Sequence, residues 1–92
     1  MKVTTENGFT CELNEKKLDS PSIFKKLVAM QRGDTTYLVD VIDELLGEGG
    51  WDALAEFTKD EEGNESMRRM SEEFYAVLKT AAENSKADSK KN

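Results

Sequence analysis

The sequence predicts a mainly α-helical (α+β) domain, with a small N-terminal β-hairpin and about four short helices packed around one core. Three observations predict this fold class. A turn signal near the start separates two short runs, apolar residues then recur at helical spacing in several segments, and glycines or capping residues separate those segments. We expect one domain over residues 1–83. Residues 84–92 have no apolar residue after Ala87, which predicts a flexible tail.

The first element is a hairpin whose side-chain pattern selects the length of its loop. Asn7-Gly8 is a strong turn signal, but a loop of these two residues alone would point Val3 away from Phe9. A three-residue loop over 6–8, with Gly8 in the left-handed region, avoids this. Its register gives the hairpin one apolar-rich face, made by Val3, Thr5, Phe9, Cys11 and Leu13. We therefore predict the three-residue loop.

The second element is a helix that begins at Ser20-Pro21, after a polar link over 14–19. The serine oxygen can cap free amides, and proline lacks the amide that would go unpaired. The positions at helical spacing are Ile23, Phe24, Leu27, Val28 and Met30 or Gln31, with Lys25, Lys26 and Arg32 outward. Gly33 is predicted to close this helix in a left-handed conformation.

Asp34 can cap the next helix, which is the clearest amphipathic segment of the chain. Its apolar stripe consists of Tyr37, Leu38, Val41, Ile42, Leu45 and Leu46, and its polar face of Asp40, Asp43 and Glu44. Gly47 is predicted to end it, followed by a bend that lets a third helix, from Trp51 to about Lys59, fold back. The apolar positions of that third helix are Trp51, Leu54 and Phe57 or Thr58.

The last helix begins near Ser66 or Ser71, since either serine can cap it. Glu72 and Glu73 suit the positive end of a helix that starts at Ser71. Its apolar period runs through Met67, Met70, Phe74, Val77 or Leu78, and Ala81.

Two glycine-containing segments resemble ligand-binding loops, but the spacing of their residues does not match a phosphate-binding or a calcium-binding loop. Residues 47–50 have neither the GxGxxG spacing nor the lysine of a phosphate-binding loop. With Gly63 at the sixth position of a calcium loop, Thr58 would be first and Arg69 twelfth, where Asp and a bidentate Glu are needed. We therefore predict a solvated turn around Gly63, no cofactor and no metal site.

The residue inventory argues against an enzyme. The chain has no histidine, and its one cysteine, Cys11, lies in an alternating pattern without a neighbouring cation that would lower its pKa. We expect Cys11 to be a small buried hydrophobe. Acidic pairs such as Asp40 and Asp43 fall on a polar helix face, where solvation keeps carboxylates ordinary, whereas catalytic pairs need burial or coupling.

Charge is distributed unevenly along the chain. The net charge is −6, but residues 34–66 hold eleven acids and one base, Lys59, a local charge of −10. No basic stripe interleaved with aromatics is present, so we predict no nucleic-acid binding. We interpret the acidic residues of 34–66 as solvated helix faces, and an acidic docking surface is the alternative. No run approaches the roughly 20 apolar residues of a membrane span, and the start does not resemble a secretory signal, which predicts a cytoplasmic protein.

Binding to another polypeptide is easier to support than catalysis. Large or adaptable apolar groups are numerous for a domain of this size, and some could remain on the surface. The candidate partner-binding residues are Trp51, Phe57, Met67, Met70 and Tyr75. For each of them, ordinary packing inside the domain is the alternative.

Taken in order, several segments resemble the tail assembly chaperones of siphophages and prophages of Gram-positive bacteria. They are the hairpin over 2–9, Leu45-Leu46-Gly47, the stretch from Trp51 to Gly63, and Met70-Ser71-Glu72-Glu73. The resemblance covers residues 1 to about 83. It implies a protein that coats the tape measure protein while the tail tube polymerises, then leaves, and is therefore absent from the mature virion.

The resemblance also implies contact with tail tube subunits and allows self-association. In such families a longer form often arises by ribosomal frameshifting, with which Lys90-Lys91 is compatible. Two other functions stay open from the sequence. One is a phage or bacterial regulatory adaptor whose acidic centre, including Asp40, Asp43 and Glu44, binds a basic surface on a host protein. The other is a minor structural protein of the virion.

Overall fold

The computed structural model describes the backbone of residues 1–90 and the side chains of residues 1–84, and it confirms the predicted fold class. The elements in order are β1 (Lys2–Thr4), β2 (Thr10–Glu12), α1 (Glu15–Leu18), α2 (Pro21–Gln31), a 3₁₀ turn (Thr35–Tyr37), α3 (Leu38–Leu46), α4 (Gly50–Phe57) and α5 (Met67–Lys90). α5 includes the backbone of residues 84–90, which the sequence assigned to the flexible tail. The side chains after residue 84 and the whole of residues 91–92 lie outside the description, and the flexibility of the tail stays a prediction.

The hairpin has the predicted three-residue loop. Val3 pairs with Cys11 and Thr4 with Thr10 in an antiparallel ladder. The Thr5 amide donates to the Phe9 carbonyl at 2.9 Å, and Gly8 has a φ of 95°, in the left-handed region that glycine tolerates. The predicted face points inward: Val3, Thr5, Phe9 and Leu13 are buried, and Cys11 is half-buried.

The segment over 14–19 is not the plain link that we predicted. It contains α1, a single helical turn, because the Asn14 side chain accepts a hydrogen bond from the Lys17 amide at 3.1 Å and so caps that turn. The next helix starts as predicted, with the Ser20 hydroxyl accepting from the Ile23 amide at 3.1 Å. Gly33, with a φ of 97°, follows the end of α2.

The apolar face of α2 is narrower than predicted. Ile23 and Met30 are buried, and Leu27 and Val28 are half-buried, but Phe24 is 67% exposed. The prediction that Phe24 belongs to the inward stripe is wrong. The neighbours of α2 are the 3₁₀ turn, α3 and α1. A stripe that includes both Ile23 and Phe24 spans a wider arc of the helix than these neighbours cover.

α3 and α4 form the predicted pair of helices joined at Gly47. Asp34 caps the 3₁₀ turn that leads into α3, through a 3.0 Å bond from the Thr36 amide. Gly47 ends α3 with a φ of 75°. α4 ends at Phe57, and Thr58 rather than Phe57 faces inward, with its hydroxyl donating to the Leu54 carbonyl at 2.8 Å.

α5 begins after Ser66, one of the two predicted starts. The Ser66 hydroxyl accepts from the Arg69 amide at 3.2 Å, as a capping serine does. Glu72 and Glu73 therefore lie beyond the first turn of α5, so the alternative start at Ser71 and the helix-end role of these two glutamates are wrong. Within residues 1–90, no helix combines the length and apolar character that a bilayer crossing requires.

The core lies between the hairpin and the inner faces of α2, α3, α4 and α5. Its fully buried large side chains are Val3, Leu13, Ile23, Val41, Ile42, Leu45, Leu54, Phe74 and Val77. α5 packs against both β1 and α4, and α4 packs against α3. α2 packs against the 3₁₀ turn, α3 and α1.

Candidate binding surfaces

Six large apolar side chains are exposed in the part of the chain whose side chains the structure describes. They are Phe24, Tyr37, Val39, Phe57, Met67 and Tyr75. They belong to α2, the 3₁₀ turn, α3, α4 and α5. Large apolar groups on a surface mark interaction sites when they cluster or are flanked by suitable charges, so their surroundings decide what each can do.

The five residues singled out from the sequence do not form one surface. Phe57, Met67 and Tyr75 are exposed, and Trp51 is half-buried against the core. Met70 is only 2% exposed and packs in the core, so it is not available to a partner as proposed from the sequence. The helical period explains this, since Met70 and Phe74 are one turn apart on the buried face of α5.

Met67 and Tyr75 are exposed on α5, and Phe57 is exposed at the end of α4. Eight residues advance a helix by about 12 Å and rotate it by about 80°, so Met67 and Tyr75 lie two turns apart on adjoining sides of α5. The Phe57 ring packs against Phe9, with ring centroids 5.2 Å apart and planes tilted by 39°. The three exposed candidates do not line one common cleft, because the exposed edge of Phe57 lines a cleft that neither Met67 nor Tyr75 lines.

That cleft has a volume of about 330 Å³ and lies between the hairpin loop, the end of α4 and the start of α5. Its lining residues are Asn7, Phe57, Thr58, Arg68, Arg69, Glu72 and Glu73. The charges of the cleft already have partners within the chain: Arg68 pairs with Glu72 at 3.0 Å, and Arg69 donates to the Lys59 carbonyl at 3.1 Å. The cleft therefore has little unsatisfied charge for a ligand.

Glu73 joins the hairpin to α5. Its side chain is buried, at 6% exposure, and accepts hydrogen bonds from the Thr5 hydroxyl at 2.5 Å and the Asn7 amide group at 2.8 Å. A buried carboxylate is stable only with such partners. We assign Glu73 a structural role, because both oxygens are used to hold the hairpin loop in place.

Phe24 is the residue that sequence reasoning missed. It is the most exposed large apolar side chain described, and half-buried Val28 follows one turn later. Lys25 on this helix and Arg32, which directly follows it, are also exposed. A helical projection contains the signal, since Ile23, Leu27 and Met30 already complete one apolar stripe and leave Phe24 and Val28 on its border.

A second cleft, of about 310 Å³, lies between α2 and the 3₁₀ turn. Its lining residues are Ser22, Lys25, Lys26, Ala29 and Tyr37. The Lys26 ammonium lies 3.3 Å from the Glu44 carboxylate, so one of the two lysines that line the cleft is already paired. Tyr37, predicted as part of the α3 stripe, borders this cleft instead of the core.

Cys11 and Asp60 have pKa values that their surroundings shift. Burial, reinforced by Glu12, raises the pKa of the Cys11 thiol, which disfavours its nucleophilic thiolate form. Amides of Asn64 and Glu62 donate to the Asp60 side chain at 2.9 Å and lower the pKa of that carboxyl. Among the described side chains, no three histidine, cysteine or acidic residues cluster in a way that could hold a metal ion.

Comparison with known protein families, with curated proteins and with solved structures found no match. The geometry and chemistry of this chain therefore provide the grounds for a function.

Proposed function

We propose that this chain is a phage tail assembly chaperone, which binds the tape measure protein and helps recruit tail tube subunits during tail morphogenesis. The observation that carries the proposal is the exposure of six large apolar side chains on a small domain that already has a continuous core. The ordered sequence resemblance described above supports it. An unassembled tape measure protein, which is mostly helical, offers apolar stripes that need temporary cover.

The distribution of the exposed groups suits reversible binding. They lie on five different elements of the chain. Dispersed contacts give modest affinity each, and a negatively charged surface keeps the free chaperone dissolved. A protein that covers a long polypeptide and then leaves requires both properties.

Coexpression with the tape measure protein encoded by the same phage or prophage tests the proposal. We expect the tape measure protein to be soluble and to copurify with this chain, and to precipitate when this chain is omitted. Equal solubility in the absence of this chain would falsify the proposal. Mass spectrometry of purified virions separates a chaperone from a minor virion protein, because a chaperone is absent from the particle.

The exposed apolar residues of α5 provide a sharper version of the same experiment. Met67→Ser combined with Tyr75→Ser removes two exposed apolar groups and leaves the core intact. We expect this variant to retain less tape measure protein in solution. Arg68→Ser combined with Lys79→Ser alters two exposed polar positions of the same helix and is the matched control.

A further inference from the structure

The outer face of α2, defined here by Phe24, Val28, Lys25 and Arg32, is a surface with no partner among the elements around it. α2 contacts the 3₁₀ turn, α3 and α1, and it directs Ile23 and Met30 toward them. Phe24 points away and is 67% exposed. Val28 lies one turn further along the same side of the helix, so the two form a short apolar ridge.

The charged residues of α2 itself are all positive. α2 contains no acidic residue from Pro21 to Gln31, and Arg32 follows directly. Lys26 is paired with Glu44, but among the described side chains Lys25 and Arg32 form no ion pair. The ridge therefore carries two free cations beside an exposed phenylalanine.

The contrast with the rest of the surface gives this face its specificity. Residues 34–66 carry a net charge of −10, and Asp40 and Asp43 are exposed on α3. An acidic ligand is repelled there and attracted to α2, whereas a basic ligand has the opposite preference. Charge complementarity thus selects an acidic partner for the outer face of α2.

We propose that the outer face of α2 binds an acidic amphipathic helix of another polypeptide. Apolar residues of that helix at positions i, i+3 and i+4 contact Phe24 and Val28, and its glutamates or aspartates face Lys25 and Arg32. Phe24 is the anchor, because a large exposed aromatic that becomes desolvated contributes most to such an interface. The inference rests on the proposed function only in that the chain binds another polypeptide.

A second copy of the chain fits this face poorly. Its most acidic amphipathic helix, α3, directs Leu38, Val41, Ile42 and Leu45 into its own core. Val39 is the one large apolar side chain that α3 leaves exposed. An acidic helix with a free apolar stripe must therefore come from a different polypeptide.

Binding of two designed peptides to the full chain tests the inference. Both peptides have about 18 residues, roughly five helical turns, with leucines at helical spacing; one carries glutamates at the other positions and the second carries lysines. Fluorescence anisotropy gives the affinities. We expect the acidic peptide to bind at least about tenfold more tightly, and added salt to weaken it.

Matched variants locate the contact. Phe24→Ser should weaken the acidic peptide at least about tenfold, and Lys25→Glu combined with Arg32→Glu should reverse the preference between peptides. Val39→Ser and Lys79→Glu are the controls, since both residues are exposed on other helices, and neither should change the affinity more than about twofold. Circular dichroism verifies that every variant is folded.

Three results would overturn the inference: equal affinity for both peptides, unchanged binding by the Phe24→Ser variant, or a dimer in sedimentation that this substitution abolishes. Failure here is distinguishable from failure of the proposed function. If the acidic peptide does not bind but the tape measure protein is still solubilised, only the inference about α2 is wrong. If the peptide binds and the tape measure protein is not solubilised, only the chaperone proposal is wrong.

Discussion

α5 and α2 are both amphipathic helices, but the fold uses them differently. α5 contacts β1 and α4 and buries Phe74 completely, whereas α2 contacts the 3₁₀ turn, α3 and α1 and leaves Phe24 67% exposed. The two phenylalanines have the same chemistry and both fall near an apolar stripe. What differs is the face on which each ring lies: Phe74 is on the face of α5 that packs into the core, whereas Phe24 is on a face of α2 that its neighbours leave exposed. The face of a helix that meets other elements therefore decides whether its aromatic residue stabilises the core or remains free to bind.

Truncating the two phenylalanines should produce the largest contrast. We expect Phe74→Ala to lower the free energy of unfolding by about 3–5 kcal/mol, because it removes a fully buried ring and leaves a cavity. Phe24→Ala should change it by no more than about 0.5 kcal/mol, since most of its ring is in water. Urea denaturation followed by circular dichroism measures both. Equal losses would contradict the contrast between the helices.

Removal of the Glu73 carboxylate should have the next largest effect. Glu73→Ala deprives the buried Thr5 hydroxyl and the Asn7 amide of their acceptor, which should cost about 1–3 kcal/mol. Glu72→Ala, at the adjacent position, breaks only the exposed pair with Arg68 and should cost about 0.3–0.5 kcal/mol. Hydrogen exchange should show faster opening of the hairpin in the first variant alone. A hairpin that stays equally protected would argue against the proposed link to α5.

The cap of α2 should contribute less. Ser20→Ala removes the acceptor of the Ile23 amide and should destabilise the chain by about 1 kcal/mol. Ser22→Ala lies two residues further into the same helix on an exposed position, and we expect a change within about 0.5 kcal/mol. Thermal unfolding of both variants compares the two serines, and a larger loss at Ser22 would exclude the capping role.

The turn before α5 should show the smallest effect, visible as a dependence on pH. Amides of Asn64 and Glu62 hold the pKa of Asp60 below its ordinary value in the folded state. The carboxylate therefore adds stability at pH values above the ordinary aspartate pKa of about 3.9, and this contribution is lost as the pH falls through the lower folded pKa. NMR titration of the Asp60 carboxyl carbon should show the lowered pKa. The stability difference from Asp60→Ala should narrow in acid, and a difference independent of pH would refute this role.

Local features of the fold were predictable because they depend on neighbouring residues in the chain. The hairpin register followed from two-residue alternation and from the left-handed conformation of Gly8. The Ser20 cap and the end of α3 at Gly47 followed from local hydrogen bonding and backbone freedom. α1 escaped prediction because one helical turn is too short to show a period.

The candidate binding residues were predictable only in part. Aromatic and methionine content indicated surplus apolar groups, and Phe57, Met67 and Tyr75 are indeed exposed. Met70 is buried and Phe24 is exposed, which inverts the expectation for both. Residue type alone cannot distinguish these outcomes, since methionine and phenylalanine serve cores and interfaces equally.

Periodicity and turn chemistry in this chain specify which segments become helices, where they start and end, and how the hairpin pairs. They do not specify which edge of an apolar stripe meets another element. Glu73 illustrates this limit: its partners Thr5 and Asn7 lie 68 and 66 residues away in sequence, so no local pattern marks it as buried. Burial depends on contacts between distant segments, and these form only when the helices and the hairpin pack together.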